Sequence, residues 1–373
     1  MQFSTTYEFN DILNIITLVQ LLLFSFYLVT QKKGELISNK ILAVFLFSKS
    51  LVLINFFLYR FSVRSPHLYF ILTPFTFLYG PPLFLYVKSL VNKNFALKKW
   101  DALHLVPFAL CGGYFIYFYH LKSTAAKARI LTTVVEQTRI EEIIIIVSIH
   151  LQIICYLIAA VLILLNYRSE LKKIYSNTGR MYLSWLNFVL FGYILIWIVD
   201  ISIFILDRIS IPASFLNSLA LVLTFLYANI IVYKGLKQPK IFNGIEKRPK
   251  YTRSQLTQPE KATYLKRLES YMEQEKPYLI PSLSIHDLGN KVSIPPRYLS
   301  QIINESLGKN FFDFINSYRV EEAKQMLQDS SNSRFNILEL LFEVGFNTKS
   351  VFNRVFKIHT GMTPTEYKKI HRD

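Results

Sequence analysis

The chain has 373 residues, of which 52% are hydrophobic and only 18% charged, and its mean hydropathy is +0.29. Soluble proteins carry about 25% charged residues, so part of this chain belongs in lipid; the net charge of +17 adds a call for anionic partners, such as lipid headgroups or nucleic acid. Two cysteines and twelve glycines exclude a disulfide scaffold, a cysteine-based zinc domain and a glycine-rich repeat array.

A helix needs about 20 apolar residues to cross a bilayer. Before residue 234, seven stretches reach that length, at about 12–31, 41–59, 66–87, 102–121, 143–167, 181–206 and 210–233. Their all-round apolarity reads as transmembrane helix. Glu8 and Asp11 precede the first stretch and no Lys or Arg does, so it lacks the basic start of a signal peptide and reads as an uncleaved span. With the N-terminus outside, the inner loops hold eleven Lys and Arg and the outer segments seven. Basic residues accumulate on the cytoplasmic side, which predicts a multi-pass protein of the inner (cytoplasmic) membrane, N-terminus out and C-terminus in. The third stretch carries Pro74, Gly80, Pro81 and Pro82 and is expected to kink.

Ionisable groups inside a bilayer are expensive and mark function by default. Lys49 lies in the second stretch, His150 in the fifth and Asp200 in the sixth. The topology puts His150 and Asp200 roughly 10 Å below the outer boundary, at 1.5 Å per residue. One reading makes Lys49, His150 and Asp200 a cluster facing an outward-open cavity, a sensing site. The competing role for these groups is bonding between helices within the bundle.

Residues 234–258 form a basic juxtamembrane linker, in which seven Lys and Arg face only Glu246. The rest, 259–373, is a charge-mixed helical domain. Four of its helix starts carry a side-chain acceptor with an acid three residues on: Ser284 with Asp287, Asn310 with Asp313, Asn336 with Glu339 and Thr363 with Glu366. Two helix pairs repeat, one from Ser284 to Val292 and from Pro296 to about Leu307, the other from Asn336 to Val344 and from Thr348 to about His359. A short helix, a tight turn and a second helix make the helix-turn-helix layout, whose second helix enters the DNA major groove. The predicted fold is all-α: an external tail (1–11), a seven-helix transmembrane bundle (12–233), the linker, and a cytoplasmic helical domain with helix-turn-helix units at 284–307 and 336–359.

The sequence here resembles the AraC-type family of bacterial transcription regulators. The resemblance rests on Val344-Gly345-Phe346, Phe352 through Lys357, Gly361-Met362-Thr363-Pro364 and Tyr367, and upstream on Leu283-Ser284, Asp287-Leu288, Tyr298-Leu299-Ser300, Gly308, Tyr318-Arg319 and Ala323. It covers about residues 275–373, and the remainder resembles, less specifically, the members whose DNA-binding domain follows a multi-span membrane segment. Two departures stand out. Leu341 replaces a small residue, so the second helix pair is expected to pack more openly, and Pro295 stands where a capping Ser is common.

On the first recognition helix, Leu299, Ile302, Ile303 and Leu307 form the apolar stripe, leaving Arg297, Ser300, Gln301 and Asn304 outward. On the second, Phe352, Val355 and Phe356 point inward, leaving Lys349, Ser350, Asn353, Arg354 and Lys357 outward. Arg pairs bidentately with guanine and Gln or Asn with adenine, so these are the expected DNA contacts. The resemblance implies a membrane-embedded, sequence-specific regulator that is not an enzyme and uses no cofactor. Its implied partners are double-stranded promoter DNA, membrane lipid and a small-molecule or membrane signal; RNA polymerase and a second copy of the chain stay open. A transporter or channel with a regulatory helical tail is the competing reading.

Overall fold

The computed structural model describes residues 5–31, 36–62, 65–92, 94–136, 140–176, 183–237, 256–328 and 336–371; most of the basic linker lies outside the described residues. The chain divides into two compact units, Met1–Leu164 with Ser184–Lys247, and Leu165–Leu183 with Arg248–Asp373.

The first unit is built from α1 (Thr5–Thr30), α2 (Leu36–Ser62), α3 (Gly80–Val91), α4 (Val106–Phe115), α5 (Thr124–Glu136), α6 (Ile140–Ile174) as far as Leu164, α7 (Leu183–Arg208) from Ser184 on, and α8 (Ser214–Lys237). Among the described residues, seven segments are long and apolar enough to cross a membrane, and each overlaps one of the stretches expected from hydropathy. Their outer faces are as apolar as their inner ones. On α6, Ile153, Leu157, Ala160 and Leu164 are buried, while Ile144, Leu151, Ile158 and Leu162 are each more than half exposed. Water would select polar residues on that outer face, whereas lipid tolerates the apolar ones present. Inside the unit, several polar groups are paired: Ser25 donates to the Ala43 carbonyl (2.9 Å), the Trp185 indole to the Tyr86 hydroxyl (2.9 Å), and Tyr227 to the Val189 carbonyl (2.7 Å).

The third apolar segment corrects the expected kink. It is broken into a 3-10 turn at Pro66–Leu68, a second at Thr73–Leu78, and then α3. Proline lacks an N–H and clashes inside a helix, but both defects vanish in a first turn. Pro74, Pro81 and Pro82 all fall in first turns, so the chain starts new helices there rather than bending one. The loop expected at 122–142 also contains a helix, α5.

The second unit is helical too, with α9 (Gln258–Glu275), α10 (Ile285–Val292), α11 (Pro296–Leu307), α12 (Phe311–Gln328), α13 (Ile337–Glu343), α14 (Lys349–Thr360) and α15 (Pro364–Ile370). The four caps read from the sequence are all formed. Ser284 accepts from the Asp287 amide, Asn310 from Asp313, Asn336 from Leu338 and Glu339, and Thr363 from Glu366. A fifth box, Thr257 with Glu260, opens α9, a helix with no counterpart in the sequence reading. Two cores result. One gathers Leu268, Met272, Leu288, Leu299, Ile303 and Ile315 around α10 and α11. The other gathers Val320, Leu341, Phe346, Phe352, Val355 and Phe356 around α13 and α14. α12 contributes to both, so it is the beam on which the two helix pairs are mounted.

Candidate nucleic-acid interface and polar cavity

Each helix-turn-helix is set by local chemistry. In the first, Ser293 takes a left-handed conformation (φ 51°) and ends α10, and Pro296 in the first turn of α11 presets its φ. Gly289 permits the sharp reversal, because a Cβ there would lie 2.7 Å from the Ile294 carbonyl oxygen. Pro295 makes no side-chain cap, as its lack of a donor or acceptor dictates. In the second, Gly345 holds φ +87°, with a hypothetical Cβ only 2.7 Å from the Tyr278 carbonyl, and Thr348 caps α14. Leu341 is fully buried in the second core, so the larger side chain is absorbed by packing.

The apolar stripes face inward as the periodicity requires: Leu299, Ile302, Ile303, Phe352 and Phe356 are completely buried and Val355 nearly so. The opposite faces carry the expected polar residues. Asn304, Lys349, Ser350, Arg354 and Lys357 are exposed, while Arg297, Ser300, Gln301 and Asn353 are half-buried. Several are already engaged. Asn304 donates to the Ser300 carbonyl (2.7 Å), Gln301 to Glu305 (3.2 Å), and the Arg297 guanidinium sits over the Tyr298 ring at 5.5 Å. Asn353 differs, since its Oδ1 is buried without a hydrogen-bond partner.

Glu305 is an acid on the first recognition helix that the sequence reading passed over. Lys261, 44 residues away on α9, donates to it at 2.6 Å. That bond and the one from Gln301 hold its carboxyl below the ordinary glutamate value, so it stays ionised and is neutralised from behind.

Arg319 on α12 is the most deeply engaged ion of the unit. It is wholly buried, and its guanidinium donates to the carbonyls of Tyr278 (2.7 Å) and Ile280 (2.8 Å) and to the Ser176 hydroxyl (3.2 Å). Burial pulls its pKa down to about 9, which still leaves it charged at neutral pH. Ser176 belongs to this unit through residues 165–183, and its hydroxyl donates to the Leu283 carbonyl (2.7 Å). Ile174 packs on the first core and Lys172 lies over the Phe312 ring at 5.6 Å. The end of α6 is therefore part of the fold that presents the recognition helices.

In the first unit, Lys49 and Asp200 line one cavity of about 850 Å³. The Lys49 ammonium lies 3.8 Å from the Tyr79 ring centre and 4.8 Å from that of Tyr193, a cation–π cradle that hydropathy cannot reveal. Asn10, Asn14, Ser214, Asn217, Ser218 and Thr224 add polar lining, and Val52, Leu53, Ala220 and Leu221 supply apolar walls. His150 is placed beside this cavity rather than in its lining. Its ring packs against Trp197 (6.4 Å) and Phe204 (5.5 Å), with Nδ1 buried and unpaired. Among the described residues, no group of three or more His, Cys, Asp or Glu is arranged to hold a metal ion.

Comparison with known proteins places the second unit. A family profile described as a helix-turn-helix domain matches residues 288–370. Over 86 residues the chain is 34% identical to an uncharacterized HTH-type transcriptional regulator of Staphylococcus aureus (strain COL), covering 23% of this chain and 11% of that protein. Over 88 residues it is 26% identical to the Msm operon regulatory protein of Streptococcus mutans serotype c, covering 24% of this chain and 31% of that one. The chain thus spans well under half the length of these curated relatives. Among solved structures, a protein of unknown function from Listeria innocua is 33% identical, with a TM-score of 0.25 and coverage of 29% of this chain and 96% of that chain. The C-terminal domain of AraT, a response regulator from Geobacillus stearothermophilus, is 26% identical, with a TM-score of 0.26 and coverage of 31% and 88%. The matched segment holds α11, both cores' shared beam and the complete second helix pair, and the C-terminal unit accordingly carries a helix-turn-helix domain of the AraC type.

Proposed function

We propose that this chain is a membrane-embedded, sequence-specific transcription regulator whose apolar unit receives a signal and whose C-terminal unit binds promoter DNA while still attached. The observation that carries the reading is the pair of helix-turn-helix units mounted on one helix, each turning a polar face outward from its own core. Two such units can occupy successive major-groove segments, about one helical turn or ~34 Å apart. Residues 259–373 carry 16 Lys and Arg against 14 Asp and Glu, so bulk charge does not explain DNA binding and specific contacts must. Arg297, Ser300, Gln301 and Asn304 are assigned to one groove segment, and Lys349, Ser350, Asn353, Arg354 and Lys357 to the next.

Support for membrane insertion comes from the apolar outer faces of seven long segments and from the bias of basic residues. Support for a sensing role comes from the cavity at Lys49 and Asp200. It is lined from the start of α1 and α8 and from the latter halves of α2 and α7, the ends that the expected topology places outside. Coupling is supported by α6, whose last turns belong to the DNA-binding unit through Leu171, Ile174 and the following Ser176.

The test is selection of a site from a random DNA pool by the full chain in nanodiscs, followed by footprinting. Two protected segments one helical turn apart are expected, with affinity falling steeply as salt rises. A chain that selects no site ends the regulator reading. Solute flux through vesicles bearing the same protein would favour the transporter reading instead.

A further inference from the structure

We infer that the cavity at Lys49 and Asp200 binds a small zwitterion, its carboxylate on Lys49 and its ammonium on Asp200, of the class of free amino acids and short peptides with both ends unblocked. The inference rests on the sensing reading above and names its ligand class.

The argument starts from the two charges. Both line the same cavity and act on each other electrostatically, yet their charged atoms lie more than 4.0 Å apart, too far for a direct ion pair. Lys49 is held between two tyrosine rings, which orient an ammonium but cannot neutralise it. Asp200 accepts no hydrogen bond from any described side chain, and it borders a second cavity with Asn217 as well as the first. Charges set in apolar surroundings are costly until they meet a counter-charge. An anion alone would satisfy Lys49 and leave Asp200 exposed to the same cost; a cation alone would do the reverse. A ligand with separated charges of both signs and no net charge gives each group a direct partner at once.

The remaining lining fits that class. Asn10 donates to Ser218 (3.2 Å), but its Oδ1 is buried with no partner, an acceptor waiting for an N–H. Asn14 and Thr224 add hydrogen-bonding groups of the kind that recognise peptide links. Leu53 and Leu221 offer apolar contact for side chains. A volume of about 850 Å³ lies toward the upper end of the ~300–1,000 Å³ typical of small-molecule sites, which gives room for a few residues beyond a single amino acid.

The experiment uses the full chain in phosphatidylglycerol nanodiscs, a bilayer without zwitterionic headgroups, and follows thermal unfolding by intrinsic fluorescence. The probes are alanine, trialanine, N-acetyl-trialanine and trialanine amide. Free trialanine, or alanine if the site takes single residues, should raise the unfolding temperature in a saturable way, and blocking either end should weaken binding at least tenfold. In Lys49→Met the amide should bind as well as the free peptide, and in Asp200→Asn the acetylated form should. If a variant does not fold, the blocked-peptide comparison on the natural chain decides alone. Equal binding of free and blocked peptides, binding of none of them, or a response only to added phosphatidylethanolamine overturns the inference. Footprinting in the same nanodiscs separates the two readings. Peptide binding that leaves DNA occupancy unchanged sinks the sensing role while the ligand class stands; DNA occupancy that responds to another stimulus while no zwitterion binds sinks the ligand class alone.

Discussion

The two helix-turn-helix units share a layout and differ in how they are braced. The first is tied from outside itself: Lys261 holds Glu305, Gln301 is bonded to the same acid, and Arg319 links Tyr278, Ile280 and Ser176 behind it. The second rests on an aromatic core, with Phe352 between Phe346 and Phe356 at 5.1 and 5.6 Å, and it exposes three cations, Lys349, Arg354 and Lys357. The lesson is a division of labour. If both units meet DNA as proposed, the first would read bases through Ser300, Gln301 and Asn304 with the single cation Arg297, and the second would add capture of phosphates and guanine by its three exposed cations.

The strongest way to break that contrast is Arg319→Met. It leaves the Tyr278 and Ile280 carbonyls buried without their donor, and each such group costs about 1–3 kcal/mol. We expect a loss of about 2–6 kcal/mol in the second unit, read as a lowered urea midpoint in pulse proteolysis, with disorder appearing first near Ser176 in hydrogen exchange. The guanidinium also lies over the Phe346 ring at 5.6 Å, so a smaller loss of protection should reach α13 and α14; an equal loss there would mean that Arg319 braces both helix pairs alike.

Next in size is Gly345→Ala. Its φ of +87° and the approach of two carbonyls, at 2.7 and 2.8 Å from a hypothetical Cβ, should together cost about 2 kcal/mol. Gly308 supplies the control: it also has a positive φ (+64°) but open space around it, so Gly308→Asn should stay within about 1 kcal/mol. Equal midpoints for the two variants would refute the steric account.

DNA affinity tests the functional side of the comparison. Arg354→Ala should cost about 1–3 kcal/mol and relax the base preference at one position, whereas Lys357→Ala should weaken all sequences alike and lower the salt slope by about one. Gln301→Ala should chiefly alter base preference. If Gln301→Ala changes the salt slope and Arg354→Ala does not, the assignment of roles is reversed.

The smallest effect concerns pH. Backbone and side-chain hydrogen bonds from Thr363 hold the Glu366 carboxyl below its ordinary value of 4.5. A depressed carboxylate stabilises the fold at pH above the unfolded value and loses that contribution as pH falls through the folded one. The stability gap between the natural chain and Glu366→Gln should therefore be present at neutral pH and close under acid, below pH 4.5. A gap that persists in acid would assign the effect to something other than this cap.

Much of the second unit was legible because its signals are local. A cap and its acid lie three residues apart, and a recognition face repeats every 3.6 residues, so Ser284, Asn336 and the Leu299–Ile303 stripe needed no tertiary information. The bracing was not legible: Lys261 and Glu305 are 44 residues apart, and Ser176 and Arg319 are 143 apart. The first unit repeats the pattern. Hydropathy located its apolar segments, but helices apolar on every side carry no phase, so the rotation that puts His150 against Trp197 could not be read. The three proline positions were visible too; whether they kink one helix or begin others depends on what packs around them.

The sequence by itself determined the four caps of the second unit, the polar faces of α11 and α14, and which residues are apolar enough for lipid, because each depends on neighbours within about one or two turns. Only the tertiary structure decided the tyrosine cradle of Lys49, the cavity it shares with Asp200, the broken third segment and the anchoring of Ser176 on Arg319. Those features depend on the packing angle and rotation of whole helices, which are set by contacts between residues far apart in the chain and leave no periodic trace within it.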